Sequence, residues 1–488
     1  GAEYTFKHAL TQEVAYNSLL VERRKLLHER TGQALESMFA ERLDDHLVEL
    51  ARHYSRSDNV TKAVDYLGRA GQQAMQRSAY PEAISGLAAA IELQQKLPDS
   101  PERIQRELLL QLSLGSGLSA VNGWGSSEVE RAYTRARQLC ERLGDPPELF
   151  PVLFGLCTVH QLRGEYRAAY KLGEQLLALA KNASDPAQLM YAHSALGVSL
   201  YFVGELLLAR EHLETAISLY DPERDRPLGN ADPGAVCRAW MAYTLWTLGY
   251  PDQALKRINE ALAIARGRSH PFSLAFAEMF AGFVRKFRRE ARAAQESAER
   301  VLAISVERGF AHFLGAATLM RGSAMAAQGR HEEGIAQIQE GLAGVRGSGI
   351  ELGRPPYHTT LADACRQADR LDDGLAAVTE AQAVADQHEE RAYEPEIHRV
   401  RGELLLRQDH SNTAEARSCF QRAIEIARNQ KAKSWELRAT MSLARLLAKQ
   451  GKQDEARTML GDIYGWFTEG FDTADLKDAK SLLDELAG

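Results

Sequence analysis

Trp240, Tyr243 and Trp246 stand three apart in a helical stretch, so the three rings share one side of a helix. Tyr201 and Phe202 occupy the corresponding stretch before it, and Phe280, Phe283 and Phe287 the one after it. Large, rigid, partly polar rings on a concave wall are recognition chemistry, because they present area and a polar handle at little entropic cost. The same rings also fill gaps between helices, and that reading stands beside the first for each residue. These eight residues are the candidate binding set. They would take a protein or peptide effector, with a small molecule as the alternative.

Other chemistry is harder to assemble. Gly341–Gly349 (Gly-Leu-Ala-Gly-Val-Arg-Gly-Ser-Gly) is glycine-rich but follows a helix and lacks a Lys-Ser/Thr ending. A phosphate cradle needs backbone amides at a helix start after a strand, so a helix terminus and linker is expected here. The 14 histidines include His46 and His53, seven apart, and form neither HxxxH nor HExxH. The cysteines fall in different repeats, so no metal site and no cofactor is expected. Asp44-Asp45 and Glu389-Glu390 are neighbours that diverge on a helix. The basic run Arg285-Lys286-Phe287-Arg288-Arg289, with Arg292, reads as solvated charge at a helix C-terminus, favourable to the dipole. Its other reading is a grip on an acidic partner or a phosphate. No catalytic residue is assigned.

The elements that position these residues recur about every 40 positions. Gly164, Gly204, Gly249, Gly329 and Gly451 mark turns between helices, and Arg289, Asp369 and Asp409 hold the equivalent places. Five positions after each glycine stands a small residue: Ala169, Ala209, Ala254, Gly334 and Ala456. Seven further on come Leu176, Ala216, Ala261, Gly341 and Ile463. A turn glycine followed by small residues at helical spacing is how tetratricopeptide-type helix pairs approach closely. The fold class expected is all-α, a right-handed superhelical solenoid of about ten or eleven pairs whose first helices line the inner face. Asp221–Gly234 and Gly347–Pro356 are breaker-rich joints. Thr473–Leu486 reads as a capping helix with Thr473 as N-cap and an apolar seam at Leu476, Ala479, Leu482, Leu483 and Leu486.

The start differs. Glu3–Leu10 could be a short strand leading into a helix from Thr11, with periodicity through Leu19, Leu20, Leu26, Leu27 and Leu35. A strand with nothing to pair with suggests a fragment of something larger. The expected division is 1–42 as an arm, 43–465 as the repeat array and 466–488 as a cap.

Composition sets the outer limits. The 488 residues are 45% hydrophobic and 26% charged, enough for a core, with a net charge of −7 that argues against a general nucleic-acid binder. Cys140, Cys157, Cys237, Cys365 and Cys419 are odd in number and without CxxC spacing, which predicts buried thiols in a reduced compartment. No uninterrupted apolar stretch approaches 18 residues, Ser273–Val284 being broken by Glu278, and no signal peptide is visible. A cytoplasmic protein that binds neither membrane nor nucleic acid is expected.

Both ends carry a resemblance. Tyr4–Tyr16 (Tyr-Thr-Phe-Lys-His-Ala-Leu-Thr-Gln-Glu-Val-Ala-Tyr), with Arg23-Arg24 and Leu27-His28, resembles the segment closing the ATPase region of certain bacterial signalling proteins. Those proteins join a class III adenylate/guanylate cyclase domain, an AAA/STAND-type ATPase and a long tetratricopeptide tail. The tail is similar too, at Gly123-Trp124 before Val129–Tyr133, at Leu245–Ala254, His270–Ala275, Glu396–Leu406, Glu436–Ala439 and Trp466–Asp472. The resemblance covers nearly the whole chain and implies that residues 1–42 are a winged-helix-like remnant of the ATPase arm. It implies a C-terminal sensor or scaffold tail whose effector releases an inhibited ATPase, with the ATPase and cyclase domains as partners in the same parent. The chain departs from that family in holding neither a GxxxxGK[ST] loop nor cyclase metal-binding carboxylates, so the piece itself is expected to be non-catalytic. The alternative is a stand-alone tetratricopeptide scaffold for protein–protein interaction.

Overall fold

A computed structural model describes residues 13–14, 16–77, 79–225, 227–228, 230–268, 270–347 and 349–487. The strand expected at Glu3–Leu10 and the N-cap at Thr11 lie outside the described residues. From Val21 onward the chain forms twenty-three α-helices, with no strand among the described residues. Successive helices pack as adjacent antiparallel-type pairs in a tetratricopeptide-like solenoid. The chain divides into two compact units, 1–122 with 127–152 and 123–126 with 153–488.

The first unit holds α1 (Val21–Met38), α2 (Leu47–Tyr54), α3 (Val60–Gln76), α4 (Tyr80–Gln94), α5 (Pro101–Asn122) and α6 (Ser127–Leu143). Leu50, Tyr54 and Ala63 form one core, and Val64, Leu87, Ala90 and Leu110 another. Glu36 on α1 ties that helix down, accepting from Tyr54 Oη at 2.8 Å, Tyr66 Oη at 2.6 Å and Lys62 Nζ at 2.5 Å. Otherwise α1 buries only Gly32, and Leu26 and Leu27, expected on its apolar stripe, are exposed.

The division falls within α7 (Leu149–Leu162). The second unit continues with α8 (Tyr166–Ala183), α9 (Pro186–Val203), α10 (Leu206–Leu219), α11 (Pro233–Leu248), α12 (Pro251–Gly267), α13 (Pro271–Phe287) and α14 (Ala291–Arg308). There follow α15 (Ala311–Ala327), α16 (His331–Gly347), α17 (Arg354–Gln367), α18 (Leu371–His388), α19 (Glu394–Gln408), α20 (Thr413–Gln430), α21 (Lys433–Lys449), α22 (Gln453–Tyr464) and α23 (Ala474–Glu485).

The pair boundaries follow from local chemistry. Asp185 and Asp232 accept from the first free amides of α9 and α11, Ala187 N at 2.8 Å and Gly234 N at 2.9 Å, with Pro186 and Pro233 occupying the first turn. At the other end, Gly204 and Gly249 have φ of 88° and 98°. The next amide returns to the last turn, Glu205 N to Leu200 O at 3.0 Å and Tyr250 N to Leu245 O at 2.9 Å, closing orphan carbonyls. Arg289 and Asp369 adopt the same left-handed geometry without being glycine, at φ of 63° and 61°. Asp409 does not. Its φ is −152°, and a short 3-10 turn, His410–Asn412, makes that connection instead.

The small residues behind the turns are all buried, as close pairing requires. The tightest pair is α15–α16, where a Cβ on Gly341 would lie 2.5 Å from Leu319 N and 2.6 Å from Gly315 O. Gly341–Gly347 is therefore helix, packed backbone to backbone at Gly341 and Gly344, and the glycine-rich run presents no cradle. Thr473 stands at the N-cap of α23, but its hydroxyl donates back to Gly470 O at 2.6 Å and caps no helical amide.

Candidate functional site

The eight aromatic residues lie on α9, α11 and α13, the first helices of three successive pairs. Seven are buried, none more than 8% exposed, and Tyr243 is partly covered. They pack ring on ring. Trp240 meets Phe280 edge-on at 4.7 Å and Phe202 at 5.3 Å, while Trp246 stacks on Phe287 at 4.5 Å. Of the two readings the sequence left side by side, recognition wall and gap filling, this packing is the second. The far end of the same unit closes over Trp246 and Phe287: Trp435 meets Trp246 at 4.7 Å and Phe287 at 5.7 Å, and Tyr393 meets Trp435 at 5.0 Å. Burying so many rings is worth several kcal/mol of transfer free energy, more than one ordinary partner contact returns by leaving them wet.

A seam of hydrogen bonds runs along this closure, one for each of the first helices α7, α9, α11 and α13. Each of these helices has last-turn carbonyls that its own amides cannot reach. Leu162 O accepts from Glu351 N at 2.8 Å, and Phe202 O from Arg391 N at 2.7 Å. Trp246 O accepts from Ser434 Oγ at 2.5 Å, across 188 positions of sequence, and Phe287 O from Arg438 Nη2 at 2.7 Å. Turn glycines sit directly against the seam: a Cβ on Gly249 would strike Trp466 and Lys433 at 2.6 and 2.7 Å. Within it, buried Glu390 accepts from Tyr166 Oη at 2.9 Å, and burial pushes its carboxyl up to about 8.

The basic run is not solvated as expected. Arg288 is buried and donates to Pro251 O and Asp252 Oδ1, both at 3.0 Å, and to Glu290 Oε1 at 2.7 Å. Arg289 pairs with Asp478 at 2.5 Å and Asp475 at 3.5 Å on α23. Arg285 donates to Ser297 Oγ, and Lys286 to Thr360 Oγ1. Arg289 stays half-exposed even so, and Arg292, paired loosely with Glu296, keeps to solvent. The acidic partners this run grips belong to its own chain.

These ties complete a ring. Helices α13, α15, α17, α19, α21 and α23 each pack on the next, and the Arg289–Asp478 pair returns α23 to the end of α13. Inside the ring lies a polar cup of about 520 Å³. Its wall carries Lys286, Thr360, Asp363, Glu396, Arg399, Glu403, Arg438, Ser442 and Arg445, and of the eight aromatic residues only Phe287 reaches it. Arg399 forks onto Glu396 at 2.7 and 2.8 Å, which holds its guanidinium charged more firmly than usual. Asp363 is held below the usual carboxylate range chiefly by Arg366 and Arg399, against the burial that opposes it. Burial pushes the Lys286 amine down to about 8.

Nothing in the local pattern marks Tyr393, Trp435, Glu390 or Arg438, because their partners sit on distant repeats. One signal was available. Tyr393 and Trp435 stand the same number of positions ahead of Asp409 and Gly451, which places both on the inner face. Among the described residues no cluster of three or more histidine, cysteine, aspartate or glutamate residues could hold a metal. The five cysteines are free, four of them buried, and burial raises the thiols, Cys157 to about 12. No helix among the described residues is long and apolar enough to cross a membrane.

A tetratricopeptide-repeat family model matches residues 235–258 and 437–462, spanning the Gly249 and Gly451 turns, and that of anaphase-promoting complex subunit 5 matches 137–198. An uncharacterized protein of Rhizobium meliloti (strain 1021) is 24% identical over 455 residues, 91% of this chain. The chain spans 43% of that relative's length. Among solved structures, a Rap protein complexed with Competence and Sporulation Factor is similar at a TM-score of 0.51, with 12% identity over 80% of this chain and 99% of that one. A signal transduction ATPase with numerous domains, bearing a tetratricopeptide repeat sensor, from Pyrococcus horikoshii gives 0.38, with 15% identity over 91% of this chain and 74% of that one. The likeness to Rap shows the fold.

Proposed function

We propose that this chain is the sensor tail of a larger signalling protein, binding an effector on the inner helices of its second unit and regulating an attached ATPase and nucleotide cyclase. The helix-pair solenoid is suited to protein–protein interaction, and the single observation that carries the finer reading is the cup. A ring of six inner helices surrounds about 520 Å³ of polar space that meets the aromatic closure at Phe287, a size that suits a small ligand or the end of a peptide. The matched relative is more than twice as long as the stretch it shares with this chain, which supports a tail joined to other domains. The resemblance of Tyr4–Tyr16 to an ATPase-closing segment supports the identity of those domains.

In this reading the effector sits in the cup, and Tyr201, Phe202, Trp240, Tyr243, Trp246, Phe280, Phe283 and Phe287 act beside it as the closure whose fit the effector changes. Regulation requires the effector to bind the on and off states with different strength. The chain itself carries out no catalysis in this reading and works in the cytoplasm. Deleting the tail from the parent protein is expected to change its basal ATPase or cyclase rate. An unchanged rate with an unchanged response to cell extract refutes the proposal.

A further inference from the structure

We propose that the cup takes an anionic group, a phosphate or a carboxylate carried by the effector, held by Lys286 and Arg445; the inference rests on the cup being the effector site. The charges on its wall decide the sign. Five carboxylates line it and all five are matched. Asp363 receives Arg366 at 2.8 Å, Glu396 receives Arg399 at 2.7 Å, and Asp475 and Asp478 receive Arg438 and Arg289 at 2.8 and 2.5 Å. Glu403 accepts from Ser442 Oγ at 2.6 Å and faces Arg399 at 3.7 Å. A cationic ligand would find no free carboxylate.

Six basic side chains line the same space, and two of them have no carboxylate within ion-pair reach among the described residues. Lys286 has only the Thr360 hydroxyl as a hydrogen-bond partner, and Arg445 stands exposed on the wall with none. A partly covered amine without a counter-ion is costly, and it responds by giving up its proton more easily. Asp363 on α17 and Glu396 on α19 hold the Lys286 proton on, while burial and Arg438 on α21 loosen it, and the balance leaves the amine at about 8. An anion supplies the missing charge on one side, and Arg445 adds a planar fork suited to carboxylate or phosphate oxygens.

The test is a titration of the purified chain at constant ionic strength, which removes general screening. Inorganic pyrophosphate and citrate are added separately, and binding is read by calorimetry and by tryptophan emission. Arg438, which lines the cup, lies over the Trp246 and Trp435 rings, so the emission reports on the site. The expected result is saturable binding of one of the two, which tells phosphate from carboxylate. It should weaken tenfold or more in Lys286→Met and in Arg445→Ala, and stay unchanged in Arg292→Ala. Binding should also weaken between pH 7 and pH 9 in the wild type and not in Lys286→Met. Should Lys286→Met fail to fold, the exposed Arg445→Ala decides alone.

No saturable binding of either probe, binding that both variants retain, or binding of spermidine in their place overturns the anionic assignment. None of these outcomes touches the sensor-tail reading, which stands or falls on the deletion in the parent.

Discussion

Arg438 on α21 donates to the last-turn carbonyl of Phe287 on α13 at 2.7 Å, although the two residues are 151 positions apart in sequence. The same guanidinium pairs with Asp475 at 2.8 Å and lies 5.0 and 5.3 Å over the rings of Trp246 and Trp435. One side chain thus joins the aromatic closure, the wall of the cup and the capping helix. It is only 13% exposed, so water cannot replace what it supplies. Arg438→Ala would leave Phe287 O without its donor and Asp475 without its closest partner. We expect a loss of about 2–4 kcal/mol in the unfolding free energy of the second unit, together with red-shifted tryptophan emission. Arg438→Lys keeps the charge but not the fork and should fall between the two. Urea titration followed by emission and by circular dichroism checks both; an alanine variant as stable as wild type rejects the seam as a stabilising element.

Glu390 gives the seam a pH dependence of definite sign. Its carboxyl is pushed up to about 8 by burial, opposed in part by donors at Tyr166 Oη and the Gly353 amide. In the unfolded chain a glutamate titrates near 4.3. Between those values the folded state holds a proton that the unfolded state has lost. Stability from this group is therefore full below about pH 4.3 and is lost as pH rises to about 8, by at most about 1.4 kcal/mol per pH unit. Glu390→Gln keeps the size and the hydrogen bonds but cannot ionise. The variant should match wild type near pH 4 and exceed it at pH 8. Equal stabilities at both pH values would show that Glu390 is ionised in the fold.

Glycine within helices separates two causes of stability here. Ala is the better helix former by about 0.5–1 kcal/mol. At Gly461, where an added Cβ meets nothing within 4 Å, Gly461→Ala should gain about that amount. At Gly341 the same change drives a Cβ into the α15 backbone, 2.5 Å from Leu319 N. The α15–α16 pair must then separate, and we expect a net loss of about 1–3 kcal/mol. Chemical denaturation of the two variants side by side checks the contrast.

How much of this was legible depends on range. The turns at Gly204, Gly249, Arg289 and Asp369 were readable because a helix pair sets its own period, through a left-handed residue and small residues at fixed offsets. The positions of Trp240, Trp246 and Phe287 on the inner helices followed from the same register. The burial of Trp246 and Phe287 did not, because Trp435 and Tyr393 several repeats away close over them, and no local pattern records which distant helix arrives. The basic run from Arg285 to Arg289 misled for the same reason. Its composition matches a solvated helix end, and only the arrival of Asp475 and Asp478 turns Arg289 into a clasp.

Arg289 and Asp369 offer the sharpest comparison, since they share a backbone conformation and differ in what their side chains reach. A left-handed residue with a Cβ costs about 1–2 kcal/mol, which glycine relieves, while glycine adds about 0.5–1 kcal/mol of unfolded-state entropy to be lost. At Asp369 the side chain makes one exposed pair with Arg407, worth about 0–1 kcal/mol. Asp369→Gly should therefore lie within about 1 kcal/mol of wild type. At Arg289 the side chain reaches Asp475 and Asp478 and returns α23 to the end of α13. Arg289→Gly relieves the same strain yet loses that tie, so α23 should exchange its amides and be cut by protease well before the rest of the unit. Hydrogen exchange over Ala474–Glu485 in both variants reads the difference. Protection of α23 that is equal in the two would mean the helix is held by Leu476, Ala479 and Leu482 alone, and that the ring does not depend on its salt bridge.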